Sequence, residues 1–191
     1  SGAGLFFEDV AADDWFCGDV GYALQAGLMS GTSRTQFSPR RATTRGMIVT
    51  ILYRLAGSPA VTASAPFADV APDSYCADAA AWAAETGVAA GIGGGRFAPQ
   101  RAITRAELAA MLYRFAARQD GGVTNSAAMT AADTAFSDAA QIPAYATQAV
   151  AWAAETGLIR GDAGRFLPQS SAARAQTAAI LHRFCELKTD K

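Results

Sequence analysis

Residues 103–112 read ITRAELAAML, and this stretch decides how the chain is built. Thr104 and Glu107 stand in the T-x-x-E spacing of a capping box, in which each side chain satisfies a backbone N–H of the other. Leu108, Met111, Leu112 and Phe115 follow at i, i+3, i+4 and i+7, one apolar stripe of an amphipathic helix. The capping box accounts for Thr104 and Glu107, because losing such a cap costs about 1 kcal/mol. Arg105 is not explained this way. A cation in the first turn opposes the helix dipole by roughly 0.3–1 kcal/mol.

The stretch sits inside a repeat, and internal repeats decide architecture before anything else. Phe7-Glu8-Asp9-Val10, Phe67-Ala68-Asp69-Val70 and Phe136-Ser137-Asp138-Ala139 open three similar units. Thirty residues after each phenylalanine comes Phe37-Ser38-Pro39, Phe97-Ala98-Pro99 or Phe166-Leu167-Pro168, and eight further on Arg45, Arg105 or Arg174. The units therefore span 1–57, 67–118 and 136–191. The linker at 58–66 is Pro- and Ser-rich, and a polar insertion at 119–135 lengthens the second connection.

Each unit predicts two helices. The first runs from Trp15, Tyr75 or Tyr145 to Gly27, Gly87 or Gly157, where glycine suits a left-handed cap. Pro143 fits a first helical position in the third unit. Trp15/Tyr22, Tyr75/Trp82 and Tyr145/Trp152 are seven apart and are expected on one helix face. The second helix starts at the arginine. Its stripe is Ile48, Ile51, Leu52 and Leu55 in the first unit, and Thr177, Ile180, Leu181 and Phe184 in the third. Each large side chain contributes ~1.5–3 kcal/mol when buried. One pair of helices cannot bury such a stripe alone, so the three must pack together. The expected fold is all-α.

On physical grounds the repeated arginine has two readings. A guanidinium beside free helix N-terminal amides is a receptor for a carboxylate or phosphate, contributing roughly 1.5–3 kcal/mol per charge-assisted bond. Aromatics from the first helices would then supply flat walls for sugar rings. The other reading pairs each arginine with Asp9, Asp69 or Asp138 across the unit.

Composition narrows the classes. The chain of 191 residues is 51% hydrophobic, enough for a sizeable core. Its formal net charge of −1 lacks the basic field of a nucleic-acid binder. No stretch reaches the ~20 apolar residues of a membrane span, and the start, SGAGLFFEDV, is not a signal peptide. Cys17, Cys76 and Cys185 form no C-x-x-C pair, which leaves a disulfide between two of them open. With one histidine, His182, a zinc site and a His-based triad are not expected, nor is a cofactor. The run Gly91-Ile92-Gly93-Gly94-Gly95 lacks the G-K-[ST] ending of a phosphate loop and falls between helices.

Taken in order, F-x-D-V, the aromatic eight residues on, G-(L/V)-x-x-G, F-x-P and I-T-R-A-E resemble the S-layer homology family, three consecutive modules over about residues 5–187. The resemblance implies a pseudo-threefold, three-pronged bundle of helix-loop-helix repeats. It also implies a non-covalent anchor, outside a Gram-positive-type cell, on its wall or S-layer. The partner implied is secondary cell-wall polysaccharide ending in a pyruvylated N-acetylmannosamine, bound in grooves between repeats without catalysis. Carried onto this sequence, the glycan-binding residues are Arg45, Arg105 and Arg174, with Thr44, Thr104, Glu107, Gln176 and Asp69 around them. Trp15, Tyr75, Tyr145, Trp82 and Trp152 are the expected aromatic walls.

Thr44-Arg45-Gly46-Met47 lacks the N3 glutamate, and Ala173-Arg174-Ala175-Gln176 lacks the capping threonine. The grooves are therefore expected to be unequal, that of Arg105 the most competent. The rival reading is a structural module whose drifted grooves bind other S-layer or surface proteins. A glycosidase would need two carboxylates ~5–5.5 Å apart, and the acids here fall mainly at cap-like and repeat-start positions. Arg96 and Arg165 could edge a groove; Arg54, Arg114 and Arg183, late in their helices, favour the dipole.

Overall fold

The computed structural model describes residues 7–119 and 136–189; the expected insertion falls outside the described residues. Among the described residues six α-helices follow one another: α1 (Cys17–Gln25), α2 (Arg45–Leu55), α3 (Ala77–Thr86), α4 (Arg105–Ala117), α5 (Thr147–Glu155) and α6 (Arg174–Thr189). Short 3-10 turns at Ala139–Gln141 and Ala144–Ala146 precede α5. Among the described residues the only β pairing is in isolated bridges. The all-α expectation holds, with two helices per repeat.

The second helix of each repeat begins at its arginine, because the preceding residue caps it. Thr104, extended at ψ 159, accepts from Glu107 N–H while the Glu107 side chain accepts from Thr104 N–H. Thr44 caps α2 through Met47 N–H. At α6 the threonine is missing, yet Gln176 Oε1 still accepts from Ala173 N–H at 3.1 Å. Gly27, Gly87 and Gly157 all adopt positive φ, 66–73°, as expected where a helix turns off.

The first helices begin later than the sequence suggested. Trp15, Tyr75 and Tyr145 lie two residues ahead of α1, α3 and α5. They therefore do not share a helix face with Tyr22, Trp82 and Trp152. Pro143 is likewise not a first helical residue; at ψ 145 it precedes the 3-10 turn at Ala144–Ala146. The seven-residue spacing misled because the chain passes through a corner that is not α-helical within it.

The chain divides into two compact units, 1–43 with 172–191 and 44–171. In the first, α1 packs on α6. Phe184 and Leu181 are fully or almost fully buried there, and Thr177 bonds Thr43 at 2.8 Å. In the second, α2 packs on α3, α4 on α5, and α2 also touches α4. Its core includes Ile48, Leu52, Leu108, Met111, Leu112 and Phe115. Each second helix thus packs on the first helix of a different repeat, which is how stripes that one repeat cannot bury leave water.

Candidate functional site

Each F-x-P segment is gripped from two sides. Asp9 accepts from Phe37 and Ser38 N–H at 2.8 and 2.7 Å. Asp69 accepts from Phe97 and Ala98 N–H, and Asp138 from Phe166 and Leu167 N–H, all four at 2.8 Å. The phenylalanine carbonyl is taken by the arginine of the preceding repeat: Arg45 Nε to Phe97 O at 2.9 Å and Arg105 Nε to Phe166 O at 2.7 Å. Arg174 Nε closes the series on Phe37 O at 2.8 Å. Each Nη2 reaches a second carbonyl, of Ala90, Arg160 or Ser30. The guanidinium carbons also stand 4.5–5.3 Å from the rings of the same phenylalanines.

These arginines are only 3, 6 and 4% exposed. Burial pushes their guanidinium pKa values down, and main-chain carbonyls, the classical partners of buried cations, hold them. The helix amides beside them are filled too. Arg45 and Gly46 N–H donate to Arg101 and Pro99 O, Arg105 and Ala106 N–H to Ser170 and Pro168 O, and Arg174 and Ala175 N–H to Arg41 and Pro39 O. This corrects the expectation of free amides with an arginine waiting beside them. It also corrects the aspartate pairing, since those carboxylates are turned to the Phe amides. What the arginines build is a joint between repeats.

The exposed aromatics lie elsewhere. Trp15, Tyr75 and Tyr145 are 65, 56 and 54% exposed and, with Ile92, are the large apolar side chains in water among the described residues. They occupy the same place in three repeats. Trp82 does not belong with them: it is buried between Tyr53 and Phe115. Trp152 is half-buried, edge-on to Tyr113. Trp82 is core rather than wall, and Trp152 keeps part of its ring exposed.

Around the exposed rings the corners differ. The Tyr145 hydroxyl lies near Thr104 and feels the charges of Glu107, Arg101 and Arg45; burial first, then Glu107, raises its pKa. Glu107 Oε1 accepts from Arg45 Nη1 at 3.1 Å and from Arg101 Nη2, and its Oε2 from Thr104 N–H at 3.0 Å. The Tyr75 hydroxyl lies near Thr44 and fills the space a Cβ on Gly46 would need, 2.5 Å away. Trp15 packs edge-on to Phe16, and Phe16 lines a cavity of ≈ 450 Å³ with Asp9, Asp14, Ser38, Pro39, Arg40 and Arg41.

The sequence reading missed Arg40, Arg41 and Arg101. Arg41 and Arg101 stand four residues before a motif arginine, where the third repeat has Ser170. That spacing was the available signal. Arg96 pairs with Asp69 at 3.7 Å from an exposed position. His182 stacks on Tyr22 with centroids 4.0 Å apart, its Nδ1 2.8 Å from Asp19. Among the described residues Cys17, Cys76 and Cys185 form no disulfide. The glycine run is a turn tip closed by Ile92 N–H on Arg96 O. Among the described residues there is no cluster suited to a metal ion, and no helix is long and apolar enough to cross a membrane.

Comparison with known proteins agrees with the repeat. The S-layer homology domain matches residues 6–46, 66–109 and 135–178, and the chain belongs to that family. An endoglucanase of Bacillus sp. (strain KSM-635) is 30% identical over 176 residues, covering 92% of this chain and 18% of the relative. An amylopullulanase of Thermoanaerobacterium thermosulfurigenes is 29% identical, covering 94% of this chain and 9% of its own length. The S-layer protein sap of Bacillus anthracis is 27% identical, covering 99% of this chain and 22% of its own length. The chain thus spans under a quarter of each of these relatives.

Proposed function

We propose that these three S-layer homology domains form a non-covalent cell-surface anchor that binds secondary cell-wall polysaccharide at the corners of Trp15, Tyr75 and Tyr145. The observation that carries the reading is the exposure of those three rings at one place in the repeat. A folded chain hides such surface unless something covers it, and a flat ring with a polar edge suits the face of a sugar. Thr44 and Thr104, beside two of the tyrosines, and the arginines at 40, 41 and 101 supply polar contacts. The wall acid is a pyruvylated N-acetylmannosamine in this reading, as the family resemblance implies.

The relatives point the same way. Proteins named for different catalytic activities and proteins named for the S-layer share this segment, which is a small part of each. A common attachment role fits that distribution, and catalysis does not. In this reading the molecule works outside the cell, on a Gram-positive-type wall.

Co-sedimentation with bacterial sacculi, before and after stripping of the secondary polymer, tests the proposal. The wild type is expected to pellet with intact sacculi alone, and the triple variant Trp15→Ala/Tyr75→Ala/Tyr145→Ala to stay in solution while remaining folded. Failure of the wild type to pellet, together with self-association, would favour the protein-interaction reading instead.

A further inference from the structure

We propose that Glu107 is a built-in counter-anion that shuts the Tyr145 corner to acidic sugars, so that this chain takes an anionic group at the Arg40–Arg41 cavity of the first repeat. The inference rests on the carbohydrate reading above and divides its corners by ligand charge. It reverses the expectation that the second repeat, with its complete motif, is the anion binder.

Arg41 and Arg101 hold the same place in their repeats, and their surroundings differ. At Arg101 the seat of a carboxylate is already filled. One oxygen of Glu107 takes hydrogen bonds from Arg101 and from buried Arg45, and the other takes the Thr104 amide. The Glu107 side chain is only 14% exposed, so water screens its charge poorly. An incoming carboxylate would meet that charge at close range and would have to break those bonds. A neutral sugar on Tyr145 meets neither obstacle.

In the first repeat the residue at the Glu107 position is Met47, which carries no charge. Among the described residues Arg40 and Arg41 have no ion pair within 4 Å. Their cavity does contain two acids. Asp9, however, spends both oxygens on the Phe37 and Ser38 amides, and Asp14 Oδ2 accepts from Ala11 N–H at 2.8 Å. The two guanidinium forks are therefore open to a ligand in a space of ≈ 450 Å³, with Phe16 and Pro39 as apolar walls. Burial first and the charge of Arg41 second push buried Arg174 down, a strain that an anion beside Arg41 relieves.

The test is an NMR titration of the whole chain with sodium pyruvate as the carboxylate, following the arginine Nε–H signals. In the wild type the signals of Arg40 and Arg41 are expected to shift saturably and that of Arg101 to stay. Arg40→Gln/Arg41→Gln should weaken the response about tenfold or more, the loss of a charge-assisted fork. Glu107→Gln should open a second saturable response at Arg101, about tenfold tighter than anything the wild type has there. Glutamine keeps the cap, as Gln176 does for α6. Equal shifts at Arg41 and Arg101 in the wild type overturn the inference, as does a folded Glu107→Gln chain with no new response. Sacculus binding is scored separately. Pyruvate responses as expected without pelleting would sink the anchoring reading and leave this one standing.

Discussion

The joint at each motif arginine and the corner four residues before it are neighbours in sequence and opposites in behaviour. The joint is built three times with the same bonds: guanidinium to a phenylalanine carbonyl, aspartate to that residue's amide. The corner holds Arg41, Arg101 or Ser170, with a partner acid in only one case. An arrangement whose aspartate oxygens, helix amides and guanidinium Nε and Nη2 groups are used inside the protein has little left to offer a ligand. The corner, whose charges and exposed rings are not used up, is where recognition has room to vary.

The hardest test of this division is to remove a joint. Arg105→Ala would bury the carbonyls of Phe166 and Arg160 without their donors and leave a void beside the Phe166 ring. Destabilisation by about 3–5 kcal/mol is expected in chemical denaturation. Arg105→Lys should recover little, because one ammonium cannot reproduce two forked bonds. A well-folded Arg105→Ala protein with normal stability and lost glycan binding would restore the arginine to the role the sequence suggested.

That outcome bears on what the sequence could tell. The repeat, the helix starts at Arg45, Arg105 and Arg174, the capping box and the left-handed glycines were all legible, because local chemistry fixes them. The fate of Arg105 was not. Its partners lie 55 and 61 residues away, in the next repeat, and no local spacing announces a carbonyl. Trp82 failed for a related reason: periodicity puts it on a face but does not say that Phe115 and Tyr53 cover that face. Trp15, Tyr75 and Tyr145 were read as wall candidates and are exposed, and they were wrongly read as part of the α-helices that follow them.

The aspartate side of the joint gives a smaller effect with a pH signature. Asp138→Asn turns an amide N–H toward the Phe166 or Leu167 N–H, and a loss of about 1.5–3 kcal/mol is expected. The native carboxyl sits below the usual range: burial works to raise it, and the Phe166 and Leu167 amides outweigh burial. Asp69 is lowered by the Phe97 amide first. A folded pKa below the unfolded value of about 3.9 means the contribution is complete above that pH and fades as pH falls through the folded value. The acid limb of a stability–pH curve should therefore flatten in Asp138→Asn. An unchanged limb would mean the clamp is not what acid undoes.

The smallest expected change is the sharpest probe of a corner. Gly46 weakens the start of α2 by up to ~1 kcal/mol relative to alanine, the residue found at 106 and 175. A methyl there would stand 2.5 Å from the Tyr75 hydroxyl and 3.0 Å from Pro99 O. The tyrosine ring end can swing away; the carbonyl yields less. Gly46→Ala is therefore expected to leave stability within about 1 kcal/mol of the wild type, the gain in helix propensity offsetting the crowding. Tyr75 should move outward. Burial raises its pKa in the native chain, so in the variant its ultraviolet titration should fall toward the ordinary value of about 10. If sacculus binding weakens while stability holds, the ring at 75 matters for where it stands, not merely for being aromatic. If the titration moves and binding does not, Tyr75 is the corner the polymer leaves empty, and recognition rests on Trp15 and Tyr145.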